Sequence, residues 1–181
     1  MNYNKLKIGS KAPYNINIII EIPMLSGPIK YEFDSHLETM KVDRFIGTHI
    51  QYPINYGFIP CTLSGDGDTL DALVYSQHII ATQSMITVKP IGMLQTKDEK
   101  GQDDKILCVP INTIDEQYKY ITDYHELPNN VLHNIEHFFY RYKELEKNKW
   151  VNIIGWKNKN LAHHTIKIAY EKYILNFDTK K

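Results

Sequence analysis

Asp66-Gly67-Asp68-Thr69-Leu70-Asp71, preceded by Leu63-Ser64-Gly65, puts three carboxylates within six residues. No Lys or Arg stands between Cys61 and Val88, so sequence neighbours leave those charges uncompensated. At about 4 Å and an effective dielectric of ~20, each pair repels by roughly 4 kcal/mol, and a hard divalent cation with oxygen ligands removes that cost. Mg²⁺ is the cation that suits such a cluster best. The spacing alone is equally that of a solvated acidic turn. Two better-known loops do not fit. An EF-hand counted from Asp66 would need Gly where Asp71 stands and Glu where Gln77 stands. An aspartyl-phosphate loop would need Thr or Val in place of Leu70 and a buried strand in place of Leu63-Ser64-Gly65.

A second acidic stretch, Lys97-Asp98-Glu99-Lys100-Gly101-Gln102-Asp103-Asp104-Lys105, reads by itself as a polar hairpin turn. Cations recur at Lys30, Arg44, Lys105 and Lys143, each alone an ordinary surface charge. Tyr52-Pro53-Ile54-Asn55-Tyr56-Gly57 is an ordinary turn unless its phenols face a site. His133-Asn134-Ile135-Glu136-His137 spells H-x-x-E-H, the inverted zinc-protease pattern. Its third ligand would have to come from Glu144, Glu146, Glu171 or Asp178, so surface or interface histidines are the simpler account.

Short strands must carry most of these groups. Residues 16–22 form a buried run, and Ile29-Lys30-Tyr31-Glu32-Phe33 alternates with a period of two, which sets Lys30 and Glu32 on one face. Further strands are expected at 40–45, 50–54, 72–75, 85–93 and 105–109, a series that suggests a closed or nearly closed barrel. After Pro128 the period changes. Val131, Leu132, Ile135, Phe138, Phe139, Tyr142 and Leu145 form one helical stripe, with Asn129 or Asn130 available as a cap. A second helix is expected over 160–174, with Ala162, Ile166, Ala169 and Tyr173 on one side. Strands first and helices last give an α+β, mainly β class, and residues 1–181 read as one domain.

The 181 residues hold 21 Lys+Arg against 21 Asp+Glu, a net charge of zero. That balance argues against a nucleic acid or anionic membrane as partner, since both favour a basic excess. It also weakens an OB-barrel binding module that stacks bases on its 13 tyrosines, because the acidic loop would repel a phosphate backbone. Two cysteines without paired spacing, and no apolar run long enough for a signal core or a span, point to the cytoplasm.

Taken in order, Glu21-Ile22-Pro23, Pro28-Ile29-Lys30-Tyr31-Glu32, Val42-Asp43-Arg44-Phe45, Tyr52 to Gly57, the Asp66/Asp68/Asp71 loop, Asp98-Glu99 with Asp103 and Lys105, and His137 to Lys143 resemble the soluble family I inorganic pyrophosphatases of bacteria. The likeness is colinear from about Gly9 to Trp156. It implies an OB-like closed β-barrel flanked by C-terminal helices, and hydrolysis of pyrophosphate to two orthophosphates with several Mg²⁺ ions, Mn²⁺ or Zn²⁺ being substitutes. By that resemblance Asp66, Asp71, Asp98 and Asp103 are metal ligands, while Glu21, Glu32 and Glu99 are outer-shell or additional metal positions. Asp68 matches the general base. Lys30, Arg44, Tyr56, Lys105, Tyr142 and Lys143 match the phosphate-holding groups, and Tyr52 lines the site. A homo-oligomer, by preference a hexamer, is also implied. Four positions depart from the pattern. Thr69 replaces Pro or Glu, Leu25 and Gly27 stand where Asn and Asp are common, and Arg141 replaces a His near the expected interface.

Overall fold

The structure, a computed structural model, describes residues 5–65 and 67–178. Asp66 therefore lies outside the described residues.

Five strands close a ring: β1 (Ile16–Ile22), β4 (Asn55–Ile59), β5 (Leu70–Val74), β8 (Lys105–Pro110) and β6 (Met85–Asp98), in that order, with β6 pairing back onto β1. The closure bears out the expected OB-like, mainly β architecture. β5 and β8 run parallel, and the other ring pairs are antiparallel. β6 can serve several neighbours because it is 14 residues long; its far end also pairs β7 (Gly101–Gln102) and β9 (Val151–Asn158). A separate two-stranded ribbon, β2 (Ile29–Asp34) with β3 (Thr39–Phe45), projects from the ring.

Strand alternation divides the ring into two faces. Ile18, Ile20, Ala72, Val74, Ile106 and Cys108 point to one face and pack on Ala162, Ile166 and Ala169 of α2 (Lys159–Asp178). Full burial of Ile166 contributes about 2 kcal/mol to holding that helix. Tyr56, Leu73 and Leu107 point to the other face, against Leu132, Ile135, Phe138 and Phe139 of α1 (Asn129–Arg141). The register of β1 slips between Ile20 and Ile22, so Ile22 pairs Tyr56 and joins the α1 side. Gly57 is required where β1 crosses β4, because a Cβ there would stand 1.9 Å from the Ile19 carbonyl oxygen.

Three local expectations need correction, and one strand is additional to them. The strand expected at 50–54 begins instead at Asn55. All five residues of β4 are buried, so it shows no alternation. Asn55 tolerates burial because it donates to the His78 carbonyl at 3.0 Å and accepts from Met24 and Ile80, each at 3.0 Å. The helix stripe stops earlier than expected: α1 ends at Arg141, and Leu145 is exposed in the following turns. Neither Asn129 nor Asn130 is the cap, since Pro128 holds that position and makes no side-chain bond. β9 was not foreseen, because it is weakly buried and bent at Gly155, whose φ is +124°.

Candidate active site

Strand registers bring the chemistry together. On the parallel pair, Asp71 lies opposite Lys105; on the ribbon, Lys30 lies opposite Arg44. Phe58 of β4 opposes Asp71, which places Asp71 on the same face as Tyr56 and Leu73. Asp98 closes β6 and pairs Gly101 across a two-residue turn, so the second acidic stretch is indeed a hairpin. The chain leaves α1 at Tyr142, whose N–H still reaches the Phe138 carbonyl at 2.9 Å. That exit turns Tyr142 and Lys143 inward, and both are buried.

The result is one cleft of about 920 Å³. Glu21, Lys30, Glu32, Arg44, Tyr52, Tyr56, Asp68, Asp71, Asp98, Glu99, Asp103, Tyr142 and Lys143 all line it. Every described residue that the family resemblance assigns to the site is there except Lys105, which is 1% exposed and lies beneath. Its Nζ donates to Asp71 Oδ2 at 2.9 Å and to Asp103 Oδ1 at 2.7 Å. The acidic loop that lacks cations in sequence thus receives one from a neighbouring strand. Lys143 similarly meets Asp98 at 2.6 Å and Glu99 at 3.6 Å. On the ribbon, Lys30 bonds Glu32 and stands 3.6 Å from Asp43. Asp68 is at the open rim, its side chain 72% exposed, with Lys100 Nζ 3.8 Å away.

Burial sets the protonation of several groups. It pushes Glu21 up to about 8, against the Phe33 N–H that its carboxylate accepts at 2.7 Å. It also raises Tyr52, Tyr56 and Tyr142, Tyr56 and Tyr142 well above the usual phenol value, so all three remain neutral donors. Burial opposes the charge of Lys105, but Asp103 and Asp71 override it and hold the ammonium firmly protonated. For Asp98, burial works upward and is outweighed by Lys143 and the Lys100 N–H, leaving its carboxyl below the ordinary range.

Several contributors were not legible beforehand. Thr62, buried, donates to the Ile59 carbonyl at 2.6 Å and accepts the Leu70 N–H at 2.9 Å, fastening both ends of the acidic loop. Ser64 N–H reaches the Asp68 carbonyl at 2.7 Å, which restrains a loop that has Thr69 in place of a proline. Asp43 and Glu146 grip Arg44 at 2.5 and 3.0 Å. A hydroxyl four residues before the loop is a readable turn signal, but nothing in sequence joins Arg44 to Glu146, 102 residues away. His133 and His137 are exposed on α1 and take no part in the cleft.

A closed β ring whose carboxylates and cations face one cleft suits an enzyme that handles a small, highly charged anion with a divalent cation. Comparison with known proteins is specific. Residues 18–174 match the inorganic pyrophosphatase family, and the chain belongs to it. It is 43% identical over 172 residues to the inorganic pyrophosphatase of Bradyrhizobium diazoefficiens, covering 95% of this chain and 97% of that one. To the Rickettsia typhi inorganic pyrophosphatase it is 49% identical over 167 residues, 92% and 94% of the two chains. The crystal structure of inorganic pyrophosphatase from Thermus thermophilus superposes with a TM-score of 0.90 at 37% identity, over 96% of this chain and 99% of that one. The chain is thus an inorganic diphosphatase with pyrophosphate as substrate, and its family implies a divalent metal cofactor.

The donor set fits such an ion, since its acidic side chains offer only hard oxygen ligands. Among the described residues no three acidic, thiol or imidazole groups close around a single point, and Lys105 Nζ lies between Asp71 and Asp103. No helix among them is long and apolar enough to cross a membrane.

Proposed function

We propose that this enzyme hydrolyses pyrophosphate in a Mg²⁺-dependent reaction with Asp68 as general base. The observation that carries the reading is the cleft in which buried and half-buried carboxylates, Lys30, Arg44 and Lys143 at its surface with Lys105 beneath, and one exposed aspartate at the rim converge. Asp66, Asp71, Asp98 and Asp103 would hold the metal ions, with Glu21, Glu32 and Glu99 supporting them. Bound Mg²⁺, or Mn²⁺ or Zn²⁺ in its place, supplies Lewis acidity and lowers the pKa of a water. Asp68 would accept a proton from the attacking water as the water oxygen bonds to phosphorus. The bridging P–O bond breaks, and its electron pair leaves with the second orthophosphate.

Lys30, Arg44 and Lys143 neutralise charge on the phosphoryl oxygens from the cleft surface, Arg44 with a fork suited to two oxygens. Lys105 adds charge from beneath Asp71 and Asp103. Tyr56 and Tyr142 donate hydrogen bonds without adding charge, and Tyr52 shapes the wall. Residues 1–181 form one catalytic domain and act as a homo-oligomer, a hexamer by family resemblance. Free Cys61 and Cys108 support a cytoplasmic location.

Orthophosphate release from pyrophosphate tests the reading. Wild type turns over with Mg²⁺ and not without it, and Asp68→Asn lowers kcat by about 10²-fold or more. Mg²⁺-independent turnover would sink the cofactor assignment, and full activity in Asp68→Asn would remove the base. Light scattering that returns a multiple of the chain mass other than six would overturn the hexamer.

A further inference from the structure

Arg44 is held from two sides. Its Nη1 donates to Asp43 at 2.5 Å, on the same ribbon strand, and its Nε donates to Glu146 at 3.0 Å. Glu146 belongs to the turns after α1, the segment that also delivers Tyr142 and Lys143 to the cleft. Its other oxygen takes Lys149 Nζ at 2.7 Å, and its side chain is only 14% exposed. The pair therefore spans from the ribbon to the end of the helix.

We infer that Glu146 is a positioning residue that fixes the Arg44 guanidinium toward the phosphate. The inference rests on the reading that Arg44 binds substrate. A guanidinium has five N–H groups in a rigid fork, so a carboxylate on Nε sets the plane and leaves other donors for a second anion. Arg44 stands on an otherwise lightly buried strand, whose residues are exposed or half-buried throughout. Without Glu146 the side chain regains rotamer freedom that must be lost again on binding.

Charge and position predict opposite signs, which makes the idea testable. Removing an anion near a bound polyanion should tighten binding if Glu146 matters only as a charge. If it positions Arg44, truncation weakens binding although the charge has gone. The test is steady-state orthophosphate release at saturating Mg²⁺ for wild type, Glu146→Ala, Glu146→Gln, Arg44→Ala and the Arg44→Ala/Glu146→Ala double variant, with melting curves for each. Glu146→Ala is expected to raise KM roughly tenfold with kcat changed less than about twofold. Glu146→Gln, which keeps an oxygen for Nε, stays near wild type. In the Arg44→Ala background Glu146→Ala adds nothing further.

An unchanged or lowered KM in Glu146→Ala, equal damage in Glu146→Gln, or an additive effect in the double variant would each overturn the positioning role. Should Arg44→Ala itself leave KM unchanged, the substrate role of Arg44 falls and the inference with it. A raised KM in Arg44→Ala with a silent Glu146→Ala overturns the inference alone.

Discussion

The two walls of the cleft are held in different ways. On the ring wall, Asp71 and Lys105 are register partners in a parallel ladder, flanked by Ala72 and Ile106, which are fully buried. On the ribbon wall, Lys30 and Arg44 are also register partners, but β3 is exposed or half-buried along its length. Backbone hydrogen bonds and core packing fix the first. Side-chain ties fix the second: the Phe33 N–H to Glu21, Phe33 stacked on Phe58 at 5.9 Å, and Arg44 to Glu146. In the proposed reading, Asp71, Asp98 and Asp103, which would have to agree in distance around an ion, sit on the rigid wall. Lys30 and Arg44, which would meet a phosphate as a point charge and a fork, sit on the adjustable one.

That contrast can be broken first by a backbone change. Gly57→Ala drives a Cβ into the Ile19 carbonyl and should cost more than about 4 kcal/mol, leaving little folded protein in a thermal melt. A melting temperature within a few degrees of wild type would mean that the ring is not the rigid element. Next comes the matched pair of lysines. Lys105→Met strands Asp71 and Asp103 and should cost about 3–5 kcal/mol in metal-free protein by chemical denaturation, less with Mg²⁺ present. Lys30→Met removes a partly exposed pair and should cost under about 1 kcal/mol. Equal costs would erase the distinction.

The smallest effect is at the ribbon hairpin, where Asp34 accepts the Leu37 and His36 N–H groups at 2.9 and 3.0 Å. Those bonds depress its carboxyl below the usual 3.8. Because the folded value is the lower one, its contribution is present above pH 3.8 and is lost as the pH falls through the folded value. Melts of wild type and Asp34→Ala should differ slightly at neutral pH and converge in acid. A gap that persists in acid would assign the effect to something other than the carboxylate.

The same contrast explains what the sequence made legible. A continuous apolar run located β1, a period-two alternation located β2, and three-four spacing located both helices. They failed on β4, buried on both sides with Asn55 inside it, and on β9, which is bent at Gly155 and thinly covered. Candidate site residues could be read from linear motifs where carboxylates cluster, as at Asp68 and Asp71. Contacts made across the fold had no such signature. The cation that answers the acidic loop, Lys105, was known as a residue but not as its neighbour, and Glu146 drew notice only as a possible third ligand of the H-x-x-E-H pattern.

The division of labour between the walls is tested most directly by measuring orthophosphate release over a grid of free Mg²⁺ and pyrophosphate for wild type, Asp71→Asn and Arg44→Ala. Asp71→Asn is predicted to shift the Mg²⁺ activation curve and lower kcat by about 10²-fold or more. Arg44→Ala is predicted to raise KM for pyrophosphate about tenfold or more while leaving the Mg²⁺ midpoint in place. If both variants move the same parameter, or if Arg44→Ala shifts only the metal requirement, the account of a metal-holding ring and a phosphate-holding ribbon is contradicted.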